Sequence, residues 1–593
     1  MFSVLLTILG ISFLLALHEA GHFYAARLAG VRVEVFSLGI GPRLFGFRAR
    51  GCDFRFSLVP IGAYVKMAGE EMNRPPAPDE LGAQSPGWRF LIFSGGIVAN
   101  FLFAIVMIPL LFRIGVPFEA PVAGTVEAGS AAWKAGIEAG DRMRRVDGEE
   151  MNSFLDFASA VALSDTDGAL RIELEGPDGT SRTVSVRAEY DEARGFPRMG
   201  IGPAVDPQVV LVVPEDTVAH AAGLREGDRL LSVDGVPLDS PLAISTMFQR
   251  LLLAVGPLPV TILRAGAELE FSLAPRAPAP KDPPRIGLWQ LVREVKHVRP
   301  GPLEAHLLVA DRIVAVAGRP VHSMVDVAEA ALRNSSLPAL TVERGGSRVL
   351  LPARGDVDAA RFTADVWLAP GRELTVWPRP DGPAGRAGML DGDVVLRVGA
   401  DPVANFTDFV SLVAAQGAEP FDLLVARAGA SGPFLVRLVP EALPVPDYGF
   451  RTDLMQEVVR RDNLVSALGM GLSQARRMVR DVLLTLNRMV SGQVDSRNLG
   501  GIISIGQMTS NRADAGLMPL LFFLAMISIH LGVLNLLPIP ALDGGHLVFI
   551  LIEKLRGRPV GERTQAWFQM LGFAAVLALI LFVTWNDVRR LME

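Results

Sequence analysis

The sequence is poor in several residue types that would direct it to particular classes of protein. It contains one cysteine, Cys52, so no intrachain disulfide can form and any exported region must rely on its hydrophobic cores. It has no long run of charge of one sign, and its net charge is −6 over 593 residues, which gives no support for a nucleic-acid-binding role. Histidine is also scarce, at eight residues, so two histidines placed four residues apart stand out.

Hydrophobic residues make up half of the sequence, and they concentrate at its two ends. This distribution predicts membrane segments that flank a soluble middle, and the length corresponds to about four units at about 150 residues each. We therefore expect a polytopic α-helical membrane protein with four transmembrane helices and an inserted array of α+β domains. The predicted spans are 1–30, 88–116, 517–546 and 566–586, with a cytoplasmic, membrane-dipping β-rich loop over 31–87.

The first apolar run could also be a cleaved signal peptide, although it has no basic n-region and no small-x-small cleavage site. Basic residues gather in two segments, between the first and second spans and between the third and fourth. Both segments should be cytoplasmic by the positive-inside rule, which places the middle of the chain outside. The basic residues are Arg27, Arg32, Arg43, Arg48, Arg50, Arg55 and Lys66, then Lys554, Arg556, Arg558 and Arg563.

The middle of the chain contains a repeat in which a Gly-Asp turn is followed by an apolar strand and a second turn. The repeated aspartates are Asp141, Asp228, Asp311 and Asp393, so the repeats are 87, 83 and 82 residues apart. The repeats resemble PDZ domains of the permuted bacterial form, in which a groove beside a strand receives an extended peptide. We expect four such domains at 118–195, 205–278, 290–355 and 370–442.

The third repeat departs most from the pattern, because His306 and Ala310 stand where the other copies carry glycine. Its fold is therefore a firmer expectation than its groove, and any single copy could equally be a spacer that binds no peptide. After the array, 460–492 reads as an amphipathic helix, with apolar residues at spacings of three and four. This helix could rest on the outer membrane face or pack on the last repeat.

The segment His18-Glu19-Ala20-Gly21-His22 fits the pattern H-E-x-x-H inside an apolar span. On a helix, histidines at i and i+4 share one face and can bind one zinc ion, while the glutamate can act as a general base on water. A single histidine in such a place is often a satisfied core residue. Two histidines and a carboxylate inside a membrane span are costly and are usually functional.

A catalytic zinc normally has three protein ligands and one open position, so a third ligand is needed. Asp543 is the best candidate, because it lies at the end of the third span, where prolines and a Gly-Gly pair break the helix. The membrane depths also agree, since His18 lies about 25 Å along its helix and Asp543 ends a descending span. His546 and His530 are rival ligands, and His546 is also a candidate for the layer around the ligands.

Together, HEAGH and NLLPIPALDGGH resemble the site-2 protease family of intramembrane zinc metalloproteases, in particular its bacterial regulator-of-sigma-E branch with extracytoplasmic PDZ domains. The segments Phe56–Met67 and Val98–Phe101 add to the resemblance. The known branch has two PDZ domains where this chain has four repeats. His530 and Ile97 also depart from residues common in the family, asparagine and proline respectively.

The resemblance implies a zinc metalloendopeptidase of the bacterial inner membrane, with a periplasmic array, that cleaves transmembrane segments of single-span proteins. Its implied substrates are anti-sigma factors or signal-peptide remnants that an upstream site-1-type protease has already trimmed. It also implies substrate-binding roles for Asn535 and for Val59, Gly62 and Tyr64 in a membrane-dipping hairpin. A non-catalytic PDZ scaffold or receptor is the alternative, and a metal transporter would need more ligands along a pore.

Overall fold

A computed structural model describes residues 2–592, except 70–76, 193, 207–210, 255, 280–281, 283, 496, 498 and 559. The described chain consists of apolar helices formed by its two ends and four β-rich units formed by its middle. Four of its helices are long and apolar enough to cross a bilayer, over Leu5–Leu28, Pro86–Ile114, Leu517–Leu536 and Arg563–Arg589. The chain is thus an integral membrane protein with β-rich domains, as the sequence predicts.

The apolar helices lie close to their predicted positions, with one exception. We name them in chain order the first (Phe2–Leu28), second (Pro86–Ile114), third (Leu517–Leu536) and fourth (Glu562–Met592) apolar helices. The predicted third span, 517–546, does not continue to its end, because the helix stops at Leu536 ahead of two prolines. A separate Asp543 helix (Asp543–Arg556) then begins after a short loop.

Two long strands join the first and second apolar helices. Val33–Ala49 and Cys52–Met67 pair antiparallel, and their turn places Arg50 and Gly51 at positive φ. Irregularities in register divide the pair so that residues 33–38 lie between 63–67 and 53–56. The segment 63–67 is therefore an edge of this sheet within the described residues, and a turn of 3₁₀ helix, Leu81–Ala83, follows it in the chain.

Each β-rich unit has its own hydrophobic core, in which apolar strand residues pack against a longer amphipathic helix. Unit 1 has helices Ala131–Lys134 and Phe154–Ala162 and strands Ala123–Val126, Arg142–Val146, Glu149–Glu150, Leu170–Glu175, Ser181–Val186, Glu189–Asp191, Phe196–Arg198 and Ile201–Pro203. Unit 2 has helices Val218–Ala221 and Pro241–Leu252 and strands Leu211–Val212, Arg229–Val233, Val236–Pro237, Leu258–Arg264, Ala267–Leu273 and Arg451–Thr452.

Units 3 and 4 follow the same plan, except that the residues around His306 in unit 3 form turns where the other units have a short helix. Unit 3 has helices Met324–Asn334 and Ala359–Asp365 and strands Glu294–Val298, Arg312–Val316, Arg319–Pro320, Leu340–Arg344, Ser347–Leu351 and Val366–Ala369. Unit 4 has helices Pro383–Arg386 and Phe406–Gln416 and strands Leu288–Gln290, Thr375–Pro378, Asp393–Val398, Asp401–Pro402, Phe421–Ala426 and Phe434–Leu438.

The units are nested in the chain and do not simply follow one another. The first strand of unit 4, Leu288–Gln290, precedes unit 3 and pairs with Thr375–Pro378 beyond it. The last strand of unit 2, Arg451–Thr452, follows unit 4 and pairs with Leu211–Val212. The expected ranges 205–278, 290–355 and 370–442 therefore cover only part of each sheet, because strand pairing over such separations leaves no local sequence signal.

The two connections to the array also meet. Strand Val116–Glu119, at the end of the second apolar helix, pairs with Gln456–Val459 on the returning chain. Further out, Ala204 and Val205 face Leu454 and Met455 in the same way. The array thus leaves and re-enters the membrane part at one place.

The predicted amphipathic helix is present as Leu464–Val490, which we name the arginine helix. It packs on the second apolar helix, where a Cβ built on Gly471 would lie 2.4 Å from Cγ of Pro109. On its other side it contacts unit 1, since Arg477 and Gln474 approach Asp156 at 3.4 and 3.3 Å. The alternative that it packs on the last repeat is wrong, because the nested chain returns beside unit 1.

The fourth apolar helix is tied to the rest through a buried carboxylate near its end. Asp587 accepts hydrogen bonds from the backbone N–H groups of Gly501, Ile503 and Ser504. These residues lie at the start of helix Ile502–Asp514. The Asp587 carboxylate therefore accepts hydrogen bonds from N–H groups that have no partner within the helix.

Candidate active site

His18 and His22 lie one turn apart on the first apolar helix, and both imidazoles are buried. Their Nε2 atoms are 3.2 Å apart, as the i, i+4 spacing predicts for two ligands on one helix face. The second apolar helix crosses at this level in close contact. A Cβ built on Gly21 would lie 2.1 Å from the carbonyl oxygen of Gly95, so a larger residue would force the helices apart.

Gly96 provides the space in which the two imidazoles meet. A Cβ built there would lie 2.5 Å from Nε2 of His22 and 2.7 Å from Nε2 of His18. No role for Gly96 is predicted from the sequence. The available signal was the Gly95-Gly96 pair inside an apolar span, since glycine in a helix interior costs stability unless close packing requires it.

The outer ring nitrogens are held by the second apolar helix. His22 Nδ1 donates to the carbonyl oxygen of Ile92 at 2.8 Å, and His18 Nδ1 lies 3.1 Å from the side-chain amide of Asn100. The Asn100 Oδ1 atom is buried with no partner when the amide nitrogen faces the ring. If the amide is turned, Oδ1 accepts a hydrogen bond from Nδ1–H of His18 and is no longer without a partner. Nε2 of His18 then has a free lone pair.

Asp543 reaches the two histidines from the other end of the chain. It is the first residue of the Asp543 helix, whereas the sequence predicted that it would lie within the end of the third span, 517–546. The loop before it turns back sharply, with Ala541 at a φ of 77°. Cβ atoms built on Gly544 and Gly545 would lie 2.1 and 2.6 Å from the loop carbonyls of Leu537 and Ile539, so this turn requires both glycines.

The three side chains converge on one point. Asp543 Oδ2 lies 3.1 Å from Nε2 of His18 and 3.4 Å from Nε2 of His22. The same oxygen is buried and has no partner of acceptable hydrogen-bond geometry. A tetrahedral zinc ion with ligands at about 2.0–2.1 Å would separate its ligand atoms by about 3.3–3.4 Å. The three atoms therefore fit a divalent metal of the zinc type, and they form a potential metal-binding group within the described residues.

Glu19 follows His18 on the helix and faces the edge of the β sheet. Its Oε2 atom accepts a hydrogen bond from the backbone N–H of Val65 at 3.0 Å. Val65 lies in the edge segment 63–67. The Glu19 carboxylate therefore connects this sheet edge to the helix that carries His18 and His22. The sequence predicts that Glu19 and this strand both lie near the substrate, but it does not predict the hydrogen bond between them.

The predicted substrate-binding residues lie in two places. Val59, Gly62 and Tyr64 are all on strand Cys52–Met67, with Gly62 at a φ of 107° and Tyr64 immediately before Val65. Asn535 is buried in the last turn of the third apolar helix, just before the loop that leads to Asp543. Tyr64 contacts Arg55 through its hydroxyl group, which fixes the ring against the sheet.

The two rival ligands have other surroundings. His546 stacks flat on Phe93, with ring centroids 4.4 Å apart and an interplanar angle of 2°. His530 lines a groove between the third apolar helix, the arginine helix and unit 1. Neither belongs to the converging group, which in the described chain comprises His18, His22 and Asp543.

The chain is similar to known proteins over almost its whole length. The sequence pattern of peptidase family M50 matches residues 6–579. The regulator of sigma-E protease RseP of Escherichia coli (strain K12) is 27% identical, and the alignment covers 98% of both chains. RseP of Salmonella typhimurium (strain 14028s / SGSC 2262) shows the same identity and coverage, and a putative zinc metalloprotease of Neisseria meningitidis is 26% identical over the whole of both chains.

Proposed function

The chain belongs to peptidase family M50, the site-2 proteases, and from that premise we propose that His18, His22 and Asp543 hold its catalytic zinc. It is accordingly a zinc-dependent intramembrane metalloprotease. The observation that carries the assignment of ligands is the convergence of three ligand atoms, at 3.1 to 3.4 Å from one another, between apolar helices. Such groups are too costly in an apolar setting to be retained without a function.

His18, His22 and Asp543 would hold the zinc ion, which would supply polarisation of the scissile carbonyl and a water acidic enough to lose a proton near neutral pH. Glu19 is placed to take that proton and to pass it to the leaving amine. Its Oε2 atom is already engaged by Val65 N–H, which leaves Oε1 for the proton. Asn100 and the Ile92 carbonyl hold the two imidazoles so that Nε2 faces the reaction centre in each.

We propose that the edge segment 63–67 holds the substrate in an extended form beside this centre. A helical substrate has its carbonyls in hydrogen bonds, so it must unwind locally, and a free sheet edge offers its backbone new partners. The Val65 bond to Glu19 places that edge next to the general base. Val59, Gly62 and Tyr64 would line the bound strand, and Asn535 would contact its backbone or the developing oxyanion.

The β-rich units are proposed to be PDZ domains on the outer side of a bacterial inner membrane. Their support is the shared plan of strands and helices, together with the basic residues in the two segments assigned to the cytoplasm. Because the relatives include proteases named for regulation of sigma-E, the proposed substrates are single-span proteins such as anti-sigma factors, or signal-peptide remnants. An upstream protease would remove their outer domains first.

The test is a comparison of the wild-type enzyme with Glu19→Gln on a single-span substrate already trimmed on its outer side. Glutamine keeps the size of the side chain and can still accept from Val65 N–H, but it cannot take a proton. We expect full zinc content by elemental analysis and no cleavage. Glu226→Gln, at an exposed position of unit 2 outside the membrane part, is the control and should cleave normally. Measurable turnover by Glu19→Gln would overturn the assignment of the general base.

Membrane proteomics of the same variant identifies the natural substrates. Trimmed single-span proteins should accumulate in cells that carry Glu19→Gln and not in cells that carry the wild-type enzyme. The alternative of a non-catalytic scaffold is not favoured, since the base and all three ligand residues are present in one place. A scaffold would leave the levels of such proteins equal in the two strains.

A further inference from the structure

The arginine helix presents three different surfaces around its axis. Ala467, Gly471, Ala475 and Met478 are buried against the membrane part. Beside that face runs an exposed apolar stripe formed by Leu464, Leu468 and Leu472, whose exposed fractions are 62%, 41% and 50%. The third surface carries arginines and faces unit 1. Apolar residues toward the membrane with basic residues directly above them are typical of a helix at a lipid interface.

A cavity of about 880 Å³ opens between the third surface and unit 1. Its charged lining consists of five arginines and two glutamates. The glutamates, Glu149 and Glu150, therefore leave an excess of positive charge in the lining. The arginines are Arg145, Arg461, Arg476, Arg477 and Arg480.

Nearby carboxylates satisfy only some of these arginines. Arg480 contacts Glu149 and Asp481, and Arg145 lies 3.4 Å from Glu150. Arg461 reaches Glu150 only at 3.9 Å. Arg476 is exposed and makes no ion pair within the described residues, so it is available to a ligand.

Arg477 is the strongest indication that a ligand belongs here. It is only 7% exposed, yet its Nε and Nη1 atoms have no hydrogen-bond acceptor. Glu149 and Asp156 lie 3.9 and 3.4 Å from these atoms without forming hydrogen bonds. A buried guanidinium with unused N–H groups is costly, and an anion in the cavity would remove that cost.

The cavity lies at the level where the membrane part ends. The backbone N–H of Arg461 donates to the carbonyl oxygen of Phe112, in the last turn of the second apolar helix, at 2.9 Å. Gly471 packs on Pro109 one turn earlier. The end of an apolar span is the level of lipid headgroups, so the arginines stand at headgroup height and the leucine stripe lies beside acyl chains.

We propose that this cavity binds the headgroup phosphate of an anionic phospholipid, with the acyl chains along Leu464, Leu468 and Leu472. A planar guanidinium matches phosphate oxygens in pairs, and several arginines together favour an anionic lipid over a neutral one. A free phosphate ion could use the same arginines but would leave the leucine stripe without a partner. The bound headgroup would then lie between unit 1 and the arginine helix, on which unit 1 rests.

The experiment measures lipid binding to the full chain by native mass spectrometry in detergent, with phosphatidylglycerol and phosphatidylcholine as probes. We expect the wild-type protein to retain phosphatidylglycerol preferentially. Arg476→Gln and Arg477→Gln should each weaken that binding about fivefold, as expected for one arginine at an anionic lipid surface. Arg488→Gln is the matched control, because it changes the same helix outside the cavity and should bind normally.

Two outcomes would overturn the proposal. The first is a loss of selectivity, seen either as equal retention of both lipids or as equal retention of phosphatidylglycerol by the cavity variants and by Arg488→Gln. The second is binding of glycerol 1-phosphate as tightly as the phospholipid, which would indicate that the site binds a soluble anion. If Arg477→Gln does not fold, Arg476→Gln still decides the matter, because its side chain is exposed and its loss leaves no buried group unpaired. Zinc content serves as the check on folding.

Discussion

The four repeated aspartates of the array and Asp543 in the membrane part have opposite surroundings. Each repeated aspartate accepts a hydrogen bond from a backbone N–H of the turn before it and another from an arginine within or directly after a strand of its own unit. Asp543 faces two imidazoles and has an oxygen with no hydrogen-bond partner. The pairs in the array are Asp141 with Arg182, Asp228 with Arg264, Asp311 with Arg344 and Asp393 with Arg427.

The difference separates a structural role from a chemical one. A carboxylate whose acceptors are filled by its own fold stabilises that fold and has no capacity left for a ligand. A carboxylate with a buried, unfilled oxygen beside two other ligand atoms is completed only by something from outside the chain. Unit 3 keeps its Asp311–Arg344 pair although its turn has lost two glycines, which shows that this pair is part of the common fold.

The largest expected effect comes from exchanging aspartate for asparagine in both surroundings. Asp543→Asn should lose zinc and reduce proteolysis by more than about a hundredfold, since loss of a ligand exceeds the about 10–100-fold effect of outer residues. Asp228→Asn should keep its zinc, because Asp228 lies far from the site in unit 2. Elemental analysis and cleavage of a trimmed substrate measure both. Full zinc occupancy in Asp543→Asn would mean that another residue is the third ligand.

A smaller effect is expected at Asn100, which orients a ligand without touching the metal. Asn100→Ala removes the acceptor for His18 Nδ1–H, so zinc affinity or activity should fall about 10–100-fold. Asn100→Asp keeps an acceptor at the same place and should largely restore zinc binding. Zinc dissociation constants of the two variants and of the wild-type protein provide the measurement. An unchanged zinc affinity in Asn100→Ala would show that Asn100 does not orient His18.

The sequence allowed some parts of this site to be predicted because they depend on local spacing. His18 and His22 share a helix face by periodicity alone, and the repeat identified the units through turns that recur in each. The roles of Gly96 and Asn100 depend on how two helices cross, which no local pattern specifies. The break between Leu536 and Asp543 was predicted from its prolines and glycines, but its extent was not, because tertiary contacts decide where the next helix begins.

Asp228→Asn should instead destabilise unit 2. Loss of the buried partner of Arg264 should cost about 2–3 kcal/mol, less than for a fully buried pair because the Arg264 side chain is 35% exposed. Hydrogen exchange of peptides from unit 2 in the full chain measures this, with the exposed Glu226→Gln as control. Unchanged protection in Asp228→Asn would show that the pair contributes no stability.

The same aspartate gives the comparison a pH dependence. Burial alone would raise the pKa of Asp228, but hydrogen bonds from Arg264 and from the Arg225 N–H outweigh it and hold the pKa below its usual range. Its contribution to stability is therefore complete above the unfolded pKa of about 3.9 and is lost as the pH falls below that value. Protection of unit 2 should decrease on acidification in the wild-type protein and change less in Asp228→Asn.

The smallest effect on the chemistry should follow from removing the array altogether, since it contributes no residue to the converging group. Because Ala120 N–H donates to the Met455 carbonyl at 2.7 Å, residues 121–454 can be replaced by an Asn-Gly turn between paired strands. Turnover of a trimmed substrate should stay within about twofold, as for sites without shared partners. An untrimmed substrate, which the bulky array should exclude, should now be cleaved. A shorter deletion replaces 206–453 by the same Asn-Gly turn between Val205 and Leu454. It keeps unit 1 against the arginine helix and separates the effect of that packing from the effect of the bulk of the other units. If both deleted enzymes bind zinc and cleave the trimmed substrate but still reject the full-length one, size selection lies in the membrane part.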